Sequence, residues 1–316
     1  MGGELRNGRL LVRLAALLGA CGMLAAAAAV GAAIGSVRHV SMAAHDLEVL
    51  GVRLSYPVLN GAEWLLLGLA GVGAAAGTLV VRACWRQRAA YRGFLAELEI
   101  VGRLEGCPTV KVIADPRPQA FCAGYLRPTV YVSQRAVELL SESELSAVLA
   151  HEHQHVKVRD PLRLACGRVL GRALFFVPVL RPLWNRYADL AELSADRAAV
   201  RASAGDQSPL ASALLMFDAS APPGVSGISS ERVDSLLGVP LRWRPPWWLT
   251  AVSLGSLLSL GLLIWRTSEV ASVHATFNLP LLSSTPCAVM SILLLLGCAT
   301  IARRRATGHR RRASRL

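Results

Sequence analysis

The stretch SESELSAVLAHEHQH, at residues 141–155, decides the local fold and holds the most informative residues of the chain. Ser141 is followed three positions later by Glu144, the pattern of a capping box, which predicts a helix that begins just before Leu145. Leu145 and Leu149 then recur at helical spacing. The stretch therefore predicts a capped helix with one face buried in a hydrophobic core.

Two histidines follow the apolar stripe in the pattern H-E-x-x-H. His151 and His155 are four residues apart, so their rings project from one helical face about one turn apart. Two imidazole nitrogens so placed can bind one Zn²⁺ at about 2.0–2.1 Å, and Glu152 can take a proton from the activated water. His153 lies off this face. Chance spacing on a solvated helix is the alternative, but the cap, the stripe and a third ligand candidate favour a zinc site with Glu152 as catalytic base.

A third protein ligand is needed for such a site, and AELSAD at 191–196 offers the best candidate. Glu192 and Asp196 are four residues apart, so Glu192 can bind the metal while Asp196 accepts a hydrogen bond from a ligand imidazole. Asp160 and Asp189 are rival ligands. The alternative interpretation is that these carboxylates are solvated charges paired with arginines of the same helix.

Composition indicates a membrane protein. The chain has 316 residues, of which 53% are apolar and 17% charged, whereas soluble domains carry about 25% charged residues. The net charge is +13 and comes from arginines that flank apolar stretches. This placement follows the positive-inside rule, so we expect membrane lipid as a partner and no direct nucleic-acid binding.

Four apolar stretches are long enough to cross a bilayer, which takes about 20 helical residues: Leu14–Ile34, Trp64–Val81, Trp247–Trp265 and Leu281–Ala302. The first also fits a cleavable signal peptide, but its length favours a retained span. The spans divide the chain into two N-terminal transmembrane helices with a short outer loop (1–81), a soluble-sized domain (82–246), two C-terminal transmembrane helices (247–302) and a basic tail (303–316). The arginine bias places the domain and the tail in the cytoplasm of a multi-pass membrane protein.

The domain at 82–246 has the pattern of an α+β fold. We predict, in chain order, a helix at Tyr91–Leu104, strands at Thr109–Ile113, 119–124 and Thr129–Ser133, helices across 135–200, and a loop at 203–246 with a short helix near Glu231–Leu237. The fold class is therefore a mostly helical, zincin-like domain with a small β-sheet, joined to about four transmembrane helices.

Residues 118–200 resemble the M56 family of membrane metallopeptidases, the BlaR-type antirepressor proteases, and the related M48 group of HtpX-like and CAAX-prenyl peptidases. The matching segments are QAFCAG (119–124), VYVS (130–133), ELSAVLAHEHQH (144–155), RD (159–160) and ELSAD (192–196). The resemblance implies one Zn²⁺ per chain, bound by His151, His155 and Glu192, with Glu152 as base. It also implies that a peptide substrate adds to a strand near Phe121–Gly124 or Val130–Ser133, where Phe121, Ala123, Gly124 and Tyr131 are the candidate residues.

The same resemblance implies a zinc metalloendopeptidase that cleaves a cytoplasmic repressor or a membrane-associated protein. The alternatives are an M48-like quality-control protease of the membrane and a catalytically inactive membrane sensor. BlaR-type receptors carry an S-x-x-K nucleophile in a sensor domain. Neither Lys111 nor Lys157, the two lysines of this chain, has a serine three positions before it. We therefore expect no sensor of that kind.

Overall fold

The computed structural model describes residues 3–36, 45–49, 52–56, 61–220, 232 and 243–274. Its helices are α1 (Gly3–Ser36), α2 (Gly61–Glu97), α3 (Gln134–Leu139), α4 (Glu142–Val158), α5 (Asp160–Ala173), α6 (Leu180–Ala202), α7 (Ser208–Ala219) and α8 (Trp247–His274). Its strands are β1 (His45–Val49), β2 (Val52–Tyr56), β3 (Ile100–Leu104), β4 (Cys107–Ile113), β5 (Ala120–Ala123) and β6 (Thr129–Ser133). The chain forms two compact units, one from 1–26 and 74–259, the other from 27–73 and 260–316.

Three described helices are long and apolar enough to cross a membrane: Leu10–Ile34, Trp64–Glu97 and Trp247–Thr267. They contain three of the four predicted spans, and the fourth, Leu281–Ala302, lies outside the described residues. The second helix has 34 residues, about 51 Å of helix, which exceeds the roughly 30 Å of bilayer hydrocarbon. If this helix crosses a bilayer, its C-terminal part, which carries the arginines from Arg82 onward, is left outside the hydrocarbon.

The unit of 27–73 and 260–316 contains an antiparallel hairpin of β1 and β2, with pairs from His45↔Tyr56 to Val49↔Val52. We predicted only a short loop in this part of the chain. Alternation of apolar and polar residues in VRLSY, at 52–56, is the strand signal that the prediction missed.

The larger unit contains a four-stranded sheet in the order β3-β4-β6-β5. Strand β6 runs parallel to β4 and antiparallel to β5, so β5 is an edge strand and β6 is paired on both sides. The helix predicted at Tyr91–Leu104 is wrong beyond Glu97, because Ile100–Leu104 is strand β3, paired with β4. Gly106, at φ +77°, allows the tight turn between these two strands.

Helix α4 lies at the centre of this unit. The predicted capping box is present, because the Ser141 hydroxyl accepts from the backbone N–H of Glu144 and the Glu144 carboxylate accepts from that of Ser141. The helix packs against β5, β6, α6 and α7. Val148 and Leu149 are buried in a core with Val130 and other residues of the sheet. This packing fixes the position of the polar residues on the next turns of α4.

Helix α7 occupies part of the segment that we predicted to be loop. Its sequence, SPLASALLMFDA, has proline in the first turn, a favourable position for a helix start, and Leu210 and Ala213 are buried. The other predicted element of that segment, the short helix near Glu231–Leu237, lies outside the described residues except for Arg232.

Candidate active site

The two histidines of α4 face each other in the buried centre of the larger unit. Their Nε2 atoms are 3.2 Å apart. Glu192, on α6, places one carboxylate oxygen 3.5 Å from His151 Nε2 and the other 3.6 Å from His155 Nε2. Ligand atoms at about 2.1 Å from a tetrahedral metal stand roughly 3.4 Å from one another. The three separations therefore match those of a four-coordinate metal site with one open position.

A carboxylate lies behind each ring. His155 Nδ1 donates to Asp160 Oδ2 at 2.8 Å. His151 Nδ1 is 2.9 Å from Asp196 Oδ1, although its angle leaves it without a well-directed hydrogen bond among the described residues. A proton on each Nδ1 leaves both Nε2 lone pairs pointing at the same space.

The converging donors need a shared cation. Two nitrogen lone pairs and a carboxylate within 4.8 Å of one another repel unless a proton or a metal ion lies among them. Two imidazoles and one carboxylate are also a donor set that zinc prefers. The residues present therefore fit a divalent metal of the zinc type.

Asp160 and Asp189, the rival ligands, lie elsewhere. Asp160 contacts His155 Nδ1 and also accepts from the Tyr187 hydroxyl, so it supports a ring instead of facing the metal position. Asp189 is exposed and lies 3.9 Å from Arg186. His153 is exposed, and its Nδ1 donates to the Leu149 carbonyl at 2.7 Å.

Arg232 completes the site and was missed by the sequence analysis. It is 7% exposed. Its Nε and Nη2 donate to the two carboxylate oxygens of Asp196 at 2.8 and 2.6 Å, and its Nη1 is 3.4 Å from Glu192 Oε2. The available signal was weak: Arg232 is the one basic residue between Arg201 and Arg242.

The electrostatics of the site separate its carboxylates into two kinds. Burial raises the pKa of Glu152 above that of an exposed glutamate, although the two histidines oppose the shift. Burial alone would also raise the pKa of Asp196, but contacts with His151 and Arg232 outweigh it and lower the pKa. The pKa of Glu192 is lowered in the same way. Glu192 and Asp196 are thus held as anions, while the raised pKa of Glu152 makes it the best proton acceptor of the three carboxylates.

A cavity of about 570 Å³ opens over the site. One wall is the edge strand β5 with Phe121 and Ala123, together with Gly124 directly after it, and another comes from α7 with Leu214 and Phe217. Gly124 has φ +117°, and a Cβ there would lie 2.6 Å from the Arg127 carbonyl oxygen, so the backbone at the end of β5 requires glycine.

Tyr131 does not line this cavity. It is buried on β6, where its ring stacks on that of Phe121 at 5.4 Å. Because β6 is paired with β4 and β5, the segment Val130–Ser133 has no free edge for a substrate. The alternative that we considered, addition of a peptide to that segment, is therefore wrong, and Tyr131 supports the strand next to the cavity.

Comparison with known proteins agrees with this geometry. Residues 94–214 match peptidase family M48. The chain is 39% identical over 72 residues to a Protease HtpX homolog of Lactobacillus acidophilus, which is 22% of this chain and 24% of the relative. It is 40% identical over 85 residues to Protease HtpX of Nitrosococcus oceani, 26% of this chain and 29% of the relative.

A plant relative matches more of the chain. The plastoglobule-localized metallopeptidase 48, chloroplastic, of Arabidopsis thaliana is 32% identical over 118 residues, 34% of each chain. The chain thus matches about a quarter to a third of the length of these relatives. No solved structure matches it. These matches support the M48 group, and they do not confirm the resemblance to the M56 family.

Proposed function

We propose that this chain is a membrane-bound, zinc-dependent endopeptidase of the HtpX-like kind. The observation that carries the proposal is the convergence of His151, His155 and Glu192, whose ligand atoms lie 3.2–3.6 Å apart. Glu152 is the next residue on the same helix and lines the same cavity. The M48 match at residues 94–214 covers all four.

His151, His155 and Glu192 would hold the metal, which supplies Lewis-acid activation of water and of the scissile carbonyl when bound. Glu152 takes the proton of the attacking water and passes it to the leaving amine. Asp160 and Asp196 keep both rings oriented with Nε2 toward the metal. Arg232 holds Asp196 in place and lies close enough to Glu192 to fix that side chain as well.

The edge strand β5 would bind the substrate. Within the described residues no strand pairs with its outer edge, which lies in the wall of the cavity, so an extended peptide can add as a further strand. Leu214 and Phe217 of α7, which line the same cavity, offer an apolar surface for a substrate side chain. A strand-like substrate fits a protease that cleaves unfolded or flexible segments.

Regulatory cleavage of a cytoplasmic repressor or a membrane-associated protein is the function that the M56 resemblance implies. Asp160 of the matching Arg159-Asp160 segment contacts His155 Nδ1, a supporting role that suits a zinc peptidase of either family. Quality control of membrane proteins is the second candidate, and the M48 match and the HtpX-named relatives favour it.

The test is Glu152→Gln in the full chain, purified in lipid nanodiscs. We expect cleavage of unfolded casein to fall about 10²–10⁴-fold, because the base is lost, while bound zinc stays near one ion per chain by elemental analysis. Glu142→Gln, on the exposed first turn of the same helix, is the matched control and should cleave like the wild type. Wild-type cleavage by the Glu152 variant, or by protein stripped of metal, would contradict the proposal.

A further inference from the structure

The connection between α5 and α6 has an unusual composition. Residues 173–180 read ALFFVPVL, without a polar side chain. Connections on a water-exposed surface are usually polar. Phe175 is nevertheless 53% exposed, which suggests that its surroundings are not water.

Helix α1 contacts this connection from inside a membrane span. A Cβ on Gly19 would lie 3.0 Å from Leu170, and one on Gly22 would lie 3.0 Å from Leu174 and 3.3 Å from Val177. Both glycines belong to the apolar helix Leu10–Ile34. Gly22 lies nine residues after Arg13, or about 13 Å along the helix. The end of α5 therefore reaches well below the level of Arg13.

Helix α8 gives a second measure of depth. The backbone N–H of Val179 donates to Ser253 Oγ at 3.1 Å, and this hydroxyl donates to the Leu249 carbonyl at 2.7 Å. Ser253 lies six residues after Trp247, the first residue of the third apolar helix, or about 9 Å along it. The two helices thus give similar depths for the connection.

Helix α2 shows where α5 leaves the membrane. Gln87 Nε2 donates to the Ala165 carbonyl at 3.3 Å. Gln87 lies five residues beyond Arg82, the first arginine after the apolar part of α2, or about 8 Å outside it. If Arg82 marks the edge of the hydrocarbon, these contacts put that edge on α5 between Ala165 and Leu174.

Two arginines lie close to the buried end. Arg172 and Arg181 are exposed, and neither has an acidic partner within the described part of the chain. Long arginine side chains at such a depth can extend to the headgroups while their stems stay in hydrocarbon. Anionic lipid phosphates would then neutralise both charges.

We propose that residues 173–180 form an insert in one leaflet of the bilayer, on the side of Arg13 and Arg82, with Phe175 among the acyl chains and Arg172 and Arg181 on anionic phospholipid phosphates. The insert fixes the height of the active site. Glu192 lies about 18 Å along α6 from Leu180, which places the metal ligands near the level of the headgroups.

The test uses the full chain in nanodiscs of phosphatidylcholine and phosphatidylglycerol. Phe175→Cys is treated with a membrane-impermeant maleimide, and peptide mass spectrometry separates it from the native cysteines. Leu126→Cys, in the loop between β5 and β6, is the matched control, since Leu126 is 77% exposed and lies in the part outside the membrane helices. We expect labelling at 175 to be at least tenfold slower than at 126, and equal after denaturation. Equal rates in intact nanodiscs would overturn the proposal.

A second measurement covers the case in which Phe175→Cys does not fold. A benzoylphenylalanine introduced at 175 should crosslink to phospholipid on irradiation, and one at 126 should not. Crosslinking at 175 to water-soluble protein only would contradict the insert.

The phosphate contacts have their own test. Adding Arg172→Gln and Arg181→Gln to Phe175→Cys should remove any difference in labelling rate between anionic and purely zwitterionic nanodiscs. If the parent Phe175→Cys protein shows no such difference, the phosphate contacts are wrong. None of these measurements depends on proteolysis, so their failure is distinct from failure of the proposed activity.

Discussion

The two histidines of the site are supported by carboxylates of different character. Behind His155, Asp160 accepts from the neutral hydroxyl of Tyr187. Behind His151, Asp196 forms a bidentate ion pair with the buried guanidinium of Arg232. Each carboxylate also keeps its histidine. Breaking the ion pair removes the guanidinium charge that offsets the burial of Asp196, whereas losing a neutral hydroxyl removes no charge from beside Asp160. Substitutions behind His151 should therefore cost more stability than substitutions behind His155.

The largest effect is expected for Arg232→Gln. Asp196 would remain buried with His151 as its one charged partner among the described residues. Breaking a buried ion pair costs about 3–5 kcal/mol, so the melting temperature of the metal-stripped protein should fall sharply. Added zinc should recover part of the loss, because it supplies positive charge at the same place. Arg201→Gln, on the exposed end of α6, is the matched control. An unchanged melting temperature for Arg232→Gln would contradict the expectation that stability depends more on the support behind His151 than on the support behind His155.

Asp196→Asn and Asp160→Asn test the two sides directly. Each should weaken zinc binding about 10–100-fold, since each loosens one ligand ring. Asp160→Asn keeps a hydrogen-bonding group beside Tyr187 and should keep its melting temperature. Asp196→Asn deprives Arg232 of its main partner and should lose stability as well. Competitive zinc titration and thermal unfolding measure the two quantities, and equal stability of the variants would contradict the comparison.

The pH dependence of zinc binding should report on His151. Burial lowers its pKa, but contacts with Asp196 and Glu192 outweigh burial and raise it to about 9. Because the metal must displace this proton, apparent zinc affinity should rise about tenfold per pH unit from 7 until near 9. In metal-stripped protein the same protonated ring stabilises the fold below its unfolded pKa of about 6.5, and that stability is lost as pH rises through about 9. Asp196→Asn should weaken the pH dependence of both the apparent zinc affinity and the stability of the metal-stripped protein.

The smallest effect is expected for Tyr187→Phe. The ring keeps its contact with Trp184, at 5.7 Å between centroids. The hydroxyl is lost, and with it the hydrogen bond donated to Asp160 and the one accepted from Arg163 at 3.3 Å. We expect a loss of about 1 kcal/mol of stability and a few-fold weaker zinc binding. A loss of stability as large as that of Arg232→Gln would show that the neutral hydroxyl beside Asp160 contributes as much as the guanidinium beside Asp196.

Sequence reasoning was most successful where one element carries the information. The capping box at Ser141, the four-residue spacing of His151 and His155, and three long apolar helices all follow from helix geometry and hydropathy within one segment. The edge strand at Ala120–Ala123 also lies inside its predicted segment, because its turn residues mark it from both sides.

Sequence reasoning failed where contacts with residues distant in the chain determine the secondary structure or the position of a side chain. Ile100–Leu104 continues an apolar pattern that suits a helix, yet it pairs with β4 because Gly106 permits a hairpin. Helix α7 has a Ser- and Ala-rich sequence with little periodic signal, and its burial against α4 stabilises it. Asp160 was a rival of Glu192 as third ligand in the sequence, but it contacts the outer nitrogen of His155, Nδ1.

The sequence by itself determined the donors on α4, since helical geometry brings residues four apart together in any context. Only the tertiary structure decided which distant carboxylate completes the site, which one stands behind each ring, and that Arg232 joins them. Those contacts depend on how α4, α5, α6 and the segment around Arg232 pack, and residue spacing across turns does not encode packing. The depth of residues 173–180 belongs to the same class, because it is set by contacts with α1 and α8 and not by hydropathy alone.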